Sequence, residues 1–302
     1  MKGSRSVVTG GAGFIGSNLV DHLVRIGHKV IVLDNFVSGK KANLIHHKKK
    51  DVKIIRIDIS KSKNLEKYFK RVDYVFHLAG LAEIIPSIKN PKKYFNTNVL
   101  GTLKVVEAAK KARVKKLIYA ASSSCYGSPR RFPTSEKEKI DIKHPYGLTK
   151  FFGEQLVIKY ATNFNMPNIS FRFFNVYGPR LNMSGQYSAV FGNFLRQKRS
   201  NKPLTIVGDG KQTRDFIHVE DLTNALIKVA KSKLVNKTYN LGSGKEVSIN
   251  KIASLFGGKK IFIPKRPREP KRSLANISKI KKDINWKPKI SIQEGIKRLL
   301  KN

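Results

Sequence analysis

The sequence predicts an α/β fold: a doubly wound parallel sheet followed by a smaller, less regular C-terminal portion. Three observations predict it. Short apolar runs alternate with helical patterns over residues 1–175, as in a parallel sheet covered on both faces. The glycine-rich stretch Thr9-Gly10-Gly11-Ala12-Gly13-Phe14-Ile15-Gly16 joins the first run to the first helical pattern, as in a Rossmann-type, dinucleotide-binding sheet. Beyond Asn175 the alternation breaks up, and proline and glycine cluster at Gly178-Pro179, Pro203, Gly208-Asp209-Gly210, Gly257-Gly258 and residues 264–270. Residues 176–302 are therefore expected to form a substrate-binding portion at the carboxyl edge of the sheet, with 212–240 returning to the first domain.

The elements follow in order. Ser6-Val7-Val8 reads as a first buried strand. In residues 14–26, Phe14, Ile15, Leu19, Leu23 and Ile26 recur at helical spacing. Gly10, Gly13 and Gly16 fall on the turn between them. A dinucleotide site needs glycine there for the tight turn, for backbone approach to the pyrophosphate and for close helix–strand packing. The helix start at Phe14 and Ile15 then turns unpaired N–H groups toward the phosphates. A second strand, 29–33, ends at Asp34, where a carboxylate accepts hydrogen bonds from ribose hydroxyls and repels a 2′-phosphate. NAD rather than NADP is expected. Residues 52–57 read as a strand ending at Asp58-Ile59, and 65–69 as part of a helix. Residues 74–78 read as a strand followed by Ala79 and Gly80, with His77 as a loop histidine that takes no acid–base role. Residues 91–112 read as helix, 117–121 as a strand running into Ser122-Ser123-Ser124, 146–160 as helix and 169–173 as strand.

Tyr146-Gly147-Leu148-Thr149-Lys150 places a phenol and an ammonium four positions apart, so on a helix they share a face. A nearby ammonium and the positive nicotinamide of an oxidised cofactor both favour phenolate, the form a general base requires. Ser122 to Ser124 end a strand, and ligands of open α/β sheets bind beyond strand carboxyl ends. A serine hydroxyl there bridges a substrate oxygen and Tyr146. Cys125 has no His or Asn partner suggested nearby and is expected to pack rather than react. No spacing of His, Cys, Asp and Glu suggests a metal site.

Composition limits the alternatives. The chain has 302 residues, 40% of them hydrophobic, enough for a sizeable core. It contains no apolar run of membrane-spanning length. Its basic start leads straight into the first strand, so no signal peptide is expected. A single cysteine suits a reducing, cytoplasmic setting. The formal charge is +41. Lysine and arginine number 19, 18 and 24 in residues 1–100, 101–200 and 201–302. An excess spread this evenly fits a lysine-rich composition. No dedicated nucleic-acid or membrane partner is expected, although the field attracts anionic substrates.

With these residues in place the chain resembles the extended short-chain dehydrogenase/reductase superfamily, and within it the nucleotide-sugar epimerases of the UDP-glucose 4-epimerase kind. The resemblance runs from Val7 to Leu300. It rests on residues 9–16, Asp34-Asn35, Asp58-Ile59, His77-Leu78-Ala79-Gly80, Asn98-Val99-Leu100-Gly101-Thr102, residues 122–127 and 146–150, residues 172–178 and Arg214-Asp215-Phe216. It implies an NAD-dependent isomerase that epimerises a UDP-sugar at C4 through a 4-keto intermediate, and a homodimer formed by 91–112 and 146–160. It implies that Asp34, Asn35, Asp58, Ile59, Leu78, Ala79 and Gly80 line the NAD site, with Asp58 and Ile59 at adenine, and that Asn98 stands behind the active site. Ser122, Tyr146 and Lys150 become the catalytic set, with Lys150 also holding the nicotinamide ribose. Ser123, Ser124, Asn175, Arg214, Arg266 and Glu269 meet the substrate.

The chain departs from the family at three points. The family's late Arg-Pro-Gly-Asp/Glu pattern reads Arg266-Pro267-Arg268-Glu269, which leaves open which arginine grips phosphate. The dehydratase branch carries Asp-Glu where this chain has Ser123 and Ser124, so a 4,6-dehydratase lacks its acid and base. Some UDP-galactose epimerases carry a lysine where this chain has Ala82. A net nucleotide-sugar oxidoreductase or dehydratase is the alternative class, with a non-enzymatic NAD-binding protein behind it. The resemblance also puts Ser273 beside the sugar's C2 substituent. Epimerases limited to plain hexoses carry tyrosine there, so a serine implies room for an N-acetyl group, including the uronic forms.

Overall fold

The computed structural model describes residues 3–183, 190–265 and 270–301. The chain divides into two compact units. The first comprises Met1–Gly127, Ile140–Phe173 and Thr223–Tyr239, and the second Ser128–Lys139, Phe174–Leu222 and Asn240–Asn302.

In the first unit the strands are β1 (Arg5–Thr9), β2 (Lys29–Asp34), β3 (Val52–Arg56), β4 (Tyr74–His77), β5 (Lys116–Ser122) and β6 (Asn168–Phe173). The helices are α1 (Phe14–Arg25), α2 (Ile84–Lys89), α3 (Pro91–Phe95), α4 (Gly101–Lys111) and α5 (Pro145–Phe164). The second unit opens with β7 (Asn175–Tyr177), α6 (Val190–Arg199), β8 (Leu204–Val207) and β9 (Thr213–His218). Next come α7 (Val219–Lys231), most of which belongs to the first unit, and β10 (Lys237–Leu241). The chain ends with β11 (Glu246–Ser248), α8 (Ile249–Phe256), β12 (Lys260–Ile263), α9 (Ser278–Ile284) and α10 (Ile292–Lys301).

The main sheet has seven strands in the order β10-β6-β5-β4-β1-β2-β3, and the pairs from β6 to β3 are parallel. Both faces are covered, so β5 and β6 are buried along their whole length, as parallel strands require. The order reverses between β1 and β4. That switch point is where a parallel sheet opens a crevice at its carboxyl edge. The core beneath it joins Val7, Leu33, Val75, Val105, Leu117, Tyr119 and Val157.

Three predicted elements differ in detail. The segment 91–112 is α3, a π-helical turn over Asn96–Leu100, and α4. Helical spacing persists through it, and Thr102 Oγ1 donates to the Asn98 carbonyl one turn back (2.6 Å). Residues 65–69 supply a single 3-10 turn, Glu66–Tyr68, which is too short to propagate as an α-helix. His77 is not a loop residue. It is the last residue of β4 and fully buried, with Nδ1 at 2.7 Å from Thr9 Oγ1 and Nε2 at 2.9 Å from Thr102 Oγ1. The pleat turns it into the core, where two threonine hydroxyls satisfy both ring nitrogens.

The second unit has two small sheets, β11-β9-β7 and β12-β8. Its core is aromatic: Tyr177 stacks on Phe191, and Phe191 meets Phe216 and Phe256 edge-on. No helix among the described residues is long and apolar enough to cross a membrane.

Candidate active site

The glycine turn is shaped by sterics. Gly10 has φ +69°, and a Cβ there would lie 2.7 Å from Ala79 N. A Cβ on Gly16 would lie 2.1 Å from the Gly10 carbonyl, so α1 can approach β1 this closely only without a side chain. Gly13 is the N-cap of α1 and supplies no side-chain cap, and the first turn holds no acid. The helix start, with Phe14 and Ile15, therefore keeps its N–H groups for an anion. Asp34 Oδ2 accepts from Ala12 N (2.9 Å) and Oδ1 from Phe36 N (2.8 Å). Each oxygen keeps a second lone pair for a ribose hydroxyl. Asn35 Nδ2 reaches Asp58 Oδ2 at 3.4 Å, and Ser60 donates twice to Asp58 Oδ1. Burial acts to raise the Asp58 pKa, but the hydrogen bonds from Ser60 and Asn35 outweigh it and hold the carboxyl below its ordinary value. The Ile59 side chain packs in the core, which leaves its backbone for a ligand. These groups fit a dinucleotide: a glycine cradle that a Cβ would fill, an uncapped helix start and a paired carboxylate at the end of β2.

The carboxyl ends of β4 and β5 assemble the rest. Asn98, in the π turn, is buried. Its Oδ1 accepts from Leu81 N (2.8 Å), and its Nδ2 donates to Leu81 O and to Thr149 Oγ1, each at 3.0 Å. One amide thus ties the segment after Leu78, Ala79 and Gly80 to α5. A Cβ on Gly80 would lie 3.1 Å from Asn98 Oδ1 and 3.5 Å from Lys150 Nζ, so Gly80, Asn98 and Lys150 meet. α5 begins at Pro145, a residue pre-set for the first helical position. His144 Nδ1 caps the helix by accepting from Gly147 N (3.0 Å), and its ring stacks parallel to that of Tyr146.

Tyr146 Oη donates to Ser122 Oγ (3.1 Å), and Ser124 N donates to the same oxygen (3.2 Å). Ser122 Oγ, accepting twice, has its own proton to give. Ser123 and Ser124 open the 3-10 turn that Ser122 caps. Burial pushes the Tyr146 phenol up, against the pull of the Ser122 hydrogen bond. Burial also brings Lys150 down to about 7, while the Glu154 carboxylate acts to raise it. Lys150 Nζ lies 4.6 Å from the centroid of the Tyr119 ring. Cys125 is buried, its thiol pushed up to about 12 by burial. It packs rather than reacts.

Sequence spacing did not reveal the support under this set. Glu154, one turn beyond Lys150, is buried and pairs with Arg172 through Nε (3.0 and 3.2 Å) and Nη2 (2.6 Å). Arg172 Nη1 donates to Tyr126 Oη (2.8 Å). The i, i+4 spacing of Lys150 and Glu154 was a signal available in the sequence. The partner strand was not.

In the second unit Asn175 Nδ2 donates to the Asp215 carbonyl (3.2 Å), and Arg214 Nη1 to the Thr213 carbonyl (2.8 Å). Buried Asp215 is the hub. Its carboxylate accepts from Ser243 N and Oγ (2.6 and 2.7 Å), Gly244 N (3.0 Å) and Ala275 N (3.0 Å). Ser273, half-buried, stands between Arg272, paired with Glu246, and the Leu274–Asn276 backbone, which bonds Thr134. A cleft of about 640 Å³ within this unit is lined by Gly208, Lys211, Gln212, Thr213, Lys271 and Arg272 among others. Arg266 and Glu269 lie outside the described residues.

A parallel sheet with an uncapped glycine turn at its switch point, and a tyrosine–serine pair beside a buried lysine, defines a dinucleotide-dependent enzyme of the short-chain dehydrogenase type. The chain belongs to the NAD dependent epimerase/dehydratase family, whose model matches residues 6–242. It is 35% identical to a putative UDP-glucose 4-epimerase of Methanocaldococcus jannaschii, over 97% of this chain and 96% of the relative. It is 34% identical to UDP-glucuronic acid decarboxylase 2 of Arabidopsis thaliana, over 100% of this chain and 68% of that protein. Among solved structures it resembles the UDP-N-acetylglucosamine 4-epimerase of Methanobrevibacter ruminantium M1 in complex with UDP-N-acetylmuramic acid. That likeness has a TM-score of 0.93 and 34% identity, and it covers 100% of this chain and 99% of the other.

Proposed function

We propose that this chain is an NAD-dependent UDP-sugar 4-epimerase whose proton chemistry is carried by Ser122, Tyr146 and Lys150. The observation that carries this reading is the Tyr146 Oη–Ser122 Oγ hydrogen bond beside buried Lys150. Bound NAD supplies a reversible hydride acceptor for C4 and, with its positive nicotinamide, a charge that favours the Tyr146 phenolate. Gly10, Gly13 and the start of α1 hold its pyrophosphate, Asp34 its adenosine ribose and Lys150 its nicotinamide ribose. Tyr146, as phenolate, takes the proton of the 4-hydroxyl, and Ser122 orients that oxygen by donating its free proton. The same phenol returns the proton once the 4-keto sugar has presented its other face. Burial pushes the Tyr146 phenol up, so the lowering that a general base needs falls to cationic partners: the nicotinamide of bound NAD and a protonated Lys150 one helical turn away. Burial lowers this lysine and the Glu154 carboxylate acts against that, leaving it at about 7, so Glu154 favours its charged form.

Asn175, Arg214 and Ser273 face the nucleotide sugar in this reading. Small Ser273 favours UDP-N-acetylhexosamines or their uronic acids. The test is incubation with UDP-glucose, UDP-N-acetylglucosamine and UDP-glucuronic acid without added NAD, with products read by NMR. Interconversion of C4 epimers supports the proposal. With NAD then supplied, net accumulation of an oxidised sugar matched by NADH would replace it with an oxidoreductase. The likeness to a UDP-glucuronic acid decarboxylase makes loss of the C6 carboxylate, with no C4 epimer formed, the second outcome to score.

We also infer a homodimer. Ile84, Ile88, Phe95, Leu100, Leu148 and Phe152 are large apolar side chains exposed on α2, α3, the π turn and α5, a contiguous run of elements that suits a second copy. Light scattering at micromolar concentration tests it, and a monomer rejects it.

A further inference from the structure

Outside the described site, one group of side chains among the described residues converges with the chemistry of a metal centre. Asp21 projects from α1, and His46 and His47 end the segment that leaves β2. His46 Nε2 lies 3.0 Å and His47 Nε2 2.7 Å from the same oxygen, Asp21 Oδ1. All three donor atoms fall within 4.8 Å of one another. The imidazole rings lie with centroids 4.1 Å apart, tilted by 41°. The two nitrogens meet one carboxylate oxygen although the histidines are sequence neighbours, whose side chains need not point the same way.

We propose that Asp21, His46 and His47 bind one divalent ion of the borderline first-row kind, such as Zn²⁺, with water completing the coordination. The dimensions fit. Donor atoms around a tetrahedral ion with bonds of about 2.0–2.1 Å lie about 3.3 Å apart. The two spacings to Asp21 Oδ1 therefore open by about 0.3 and 0.6 Å. His46 is half exposed, which leaves an open side for water, and His47 is largely covered. With the Nδ1–H tautomer each imidazole turns its Nε2 lone pair to the ion, and the Asp21 carboxylate supplies the third ligand atom.

The charge of the chain selects the ion. At a formal +41 the long-range field repels cations, so binding must come from the ligand bonds themselves. Two imidazoles and one carboxylate suit Zn²⁺, Co²⁺ or Ni²⁺ and are a poor set for Ca²⁺ or Mg²⁺, which take oxygen ligands.

The position gives the ion a consequence. The segment from Asp34 to His47 is pinned to the glycine turn by Lys40 N and Asn43 Nδ2, both donating to the Ala12 carbonyl (3.0 and 2.8 Å). An ion at Asp21, His46 and His47 fastens the far end of that segment to α1, closing a loop that contains the ribose carboxylate Asp34. It is a structural clip beside the dinucleotide site and takes no part in the reaction there.

The experiment uses the untagged holoenzyme, stripped with chelator, loaded with Zn²⁺ and dialysed, with retained metal read by elemental analysis. About one Zn²⁺ per chain is expected. Asp21→Asn, His46→Ala and His47→Ala should each weaken retention by at least about tenfold in chelator competition, since each removes a ligand. Asp21→Asn preserves the shape of the side chain, so its loss of metal reports ligation rather than unfolding, and circular dichroism checks the fold of all three variants. Co²⁺ in the same site should give visible d–d absorption, and Zn²⁺ should raise the Tm of wild type but not of the variants. Retention equal in wild type and variants would place the metal elsewhere and overturn the proposal, as would no retention in wild type. Tight binding of Ca²⁺ in place of Zn²⁺ would overturn the ion class.

Discussion

The two units build their functional groups in opposite ways. In the first, most candidate residues sit at or just beyond the ends of regular elements. Gly10 follows β1, Asp34 ends β2, Gly80 follows β4, Ser122 ends β5, and Tyr146 and Lys150 lie in the first turns of α5. Backbone periodicity sets their positions, and a few buried polar groups such as Asn98 lock them. In the second unit, strands of three to six residues carry loops whose shape depends on one carboxylate, Asp215, gathering backbone N–H groups from distant parts of the chain. On the proposed function, proton transfer, which tolerates almost no play, falls on the rigid frame, and substrate fit falls where loops can change without disturbing a sheet.

The largest expected effect breaks the first unit's chemistry without touching its frame. Tyr146→Phe should fold and bind NAD yet lose about 1,000-fold or more in kcat, because general-base transfer and phenolate activation go together. Activity within tenfold of wild type, measured with whichever UDP-sugar proves to be the substrate, would remove Tyr146 from the reaction.

Glu154→Gln attacks the frame itself. It leaves the buried Arg172 guanidinium without its anion, which should cost about 3–5 kcal/mol of stability in denaturant unfolding. Whatever folded enzyme remains should need a lower pH for activity, since Lys150, already down to about 7, loses the neighbouring carboxylate that acts to raise it. An unchanged pH profile would mean that Glu154 does not influence Lys150.

Asp215→Asn is the matching test in the second unit. Losing a charged acceptor that serves four donors should cost about 2–3 kcal/mol. Hydrogen exchange should localise the loss: amides of Ser243, Gly244 and Ala275 should exchange faster while those of β1 and β5 keep their protection. Uniform loss across both units would mean that the two unfold as one cooperative body.

Acidification probes the first unit's core. Burial lowers the His77 pKa from 6.5 to about 3, so the folded state refuses a proton that the unfolded chain accepts. Stability from this group is complete above pH 6.5 and falls as pH drops from there toward 3, by about 1.4 kcal/mol per pH unit. His28, lowered to about 4 chiefly by burial, acts in the same sense. Urea midpoints at about pH 6.5 and about pH 5.5 measure the slope, and His77→Asn should flatten it; an unaltered slope in that variant would assign the acid sensitivity to other groups.

The smallest expected effect concerns specificity in the second unit. Ser273→Tyr should lower kcat/KM for a UDP-N-acetylhexosamine by roughly 10- to 100-fold while sparing the plain hexose, a steric exclusion. Equal loss on both substrates would remove Ser273 from the sugar pocket.

Much of the first unit was legible because its signals are local. A strand, a glycine turn and a helix read off directly as apolar period and residue size, and a Tyr–Lys pair four positions apart shares a helix face wherever that helix lies. Local signals mislead where the partner is distant. His77 reads as a loop residue by sequence, yet β4 buries it between Thr9 and Thr102, and the π turn at Asn98 is invisible in a pattern that stays helical around it. The second unit was legible only as an irregular, Pro- and Gly-rich stretch, because its organiser is a single aspartate whose donors lie 28 to 60 positions away.

The sequence by itself determined the parallel α/β class, the glycine turn at Gly10–Gly16 and the Tyr146–Lys150 pair, since each depends on steric size, hydrophobic period or spacing within one element, whereas the meeting of Tyr146 with Ser122 of β5 is tertiary. Only the tertiary structure decided that Glu154 meets Arg172, that Asp215 gathers the second unit's loops and that Asp21 meets His46 and His47. Each of these joins charged or polar groups far apart in the chain, and no period or spacing records which of the many such groups a fold will bring within hydrogen-bond reach.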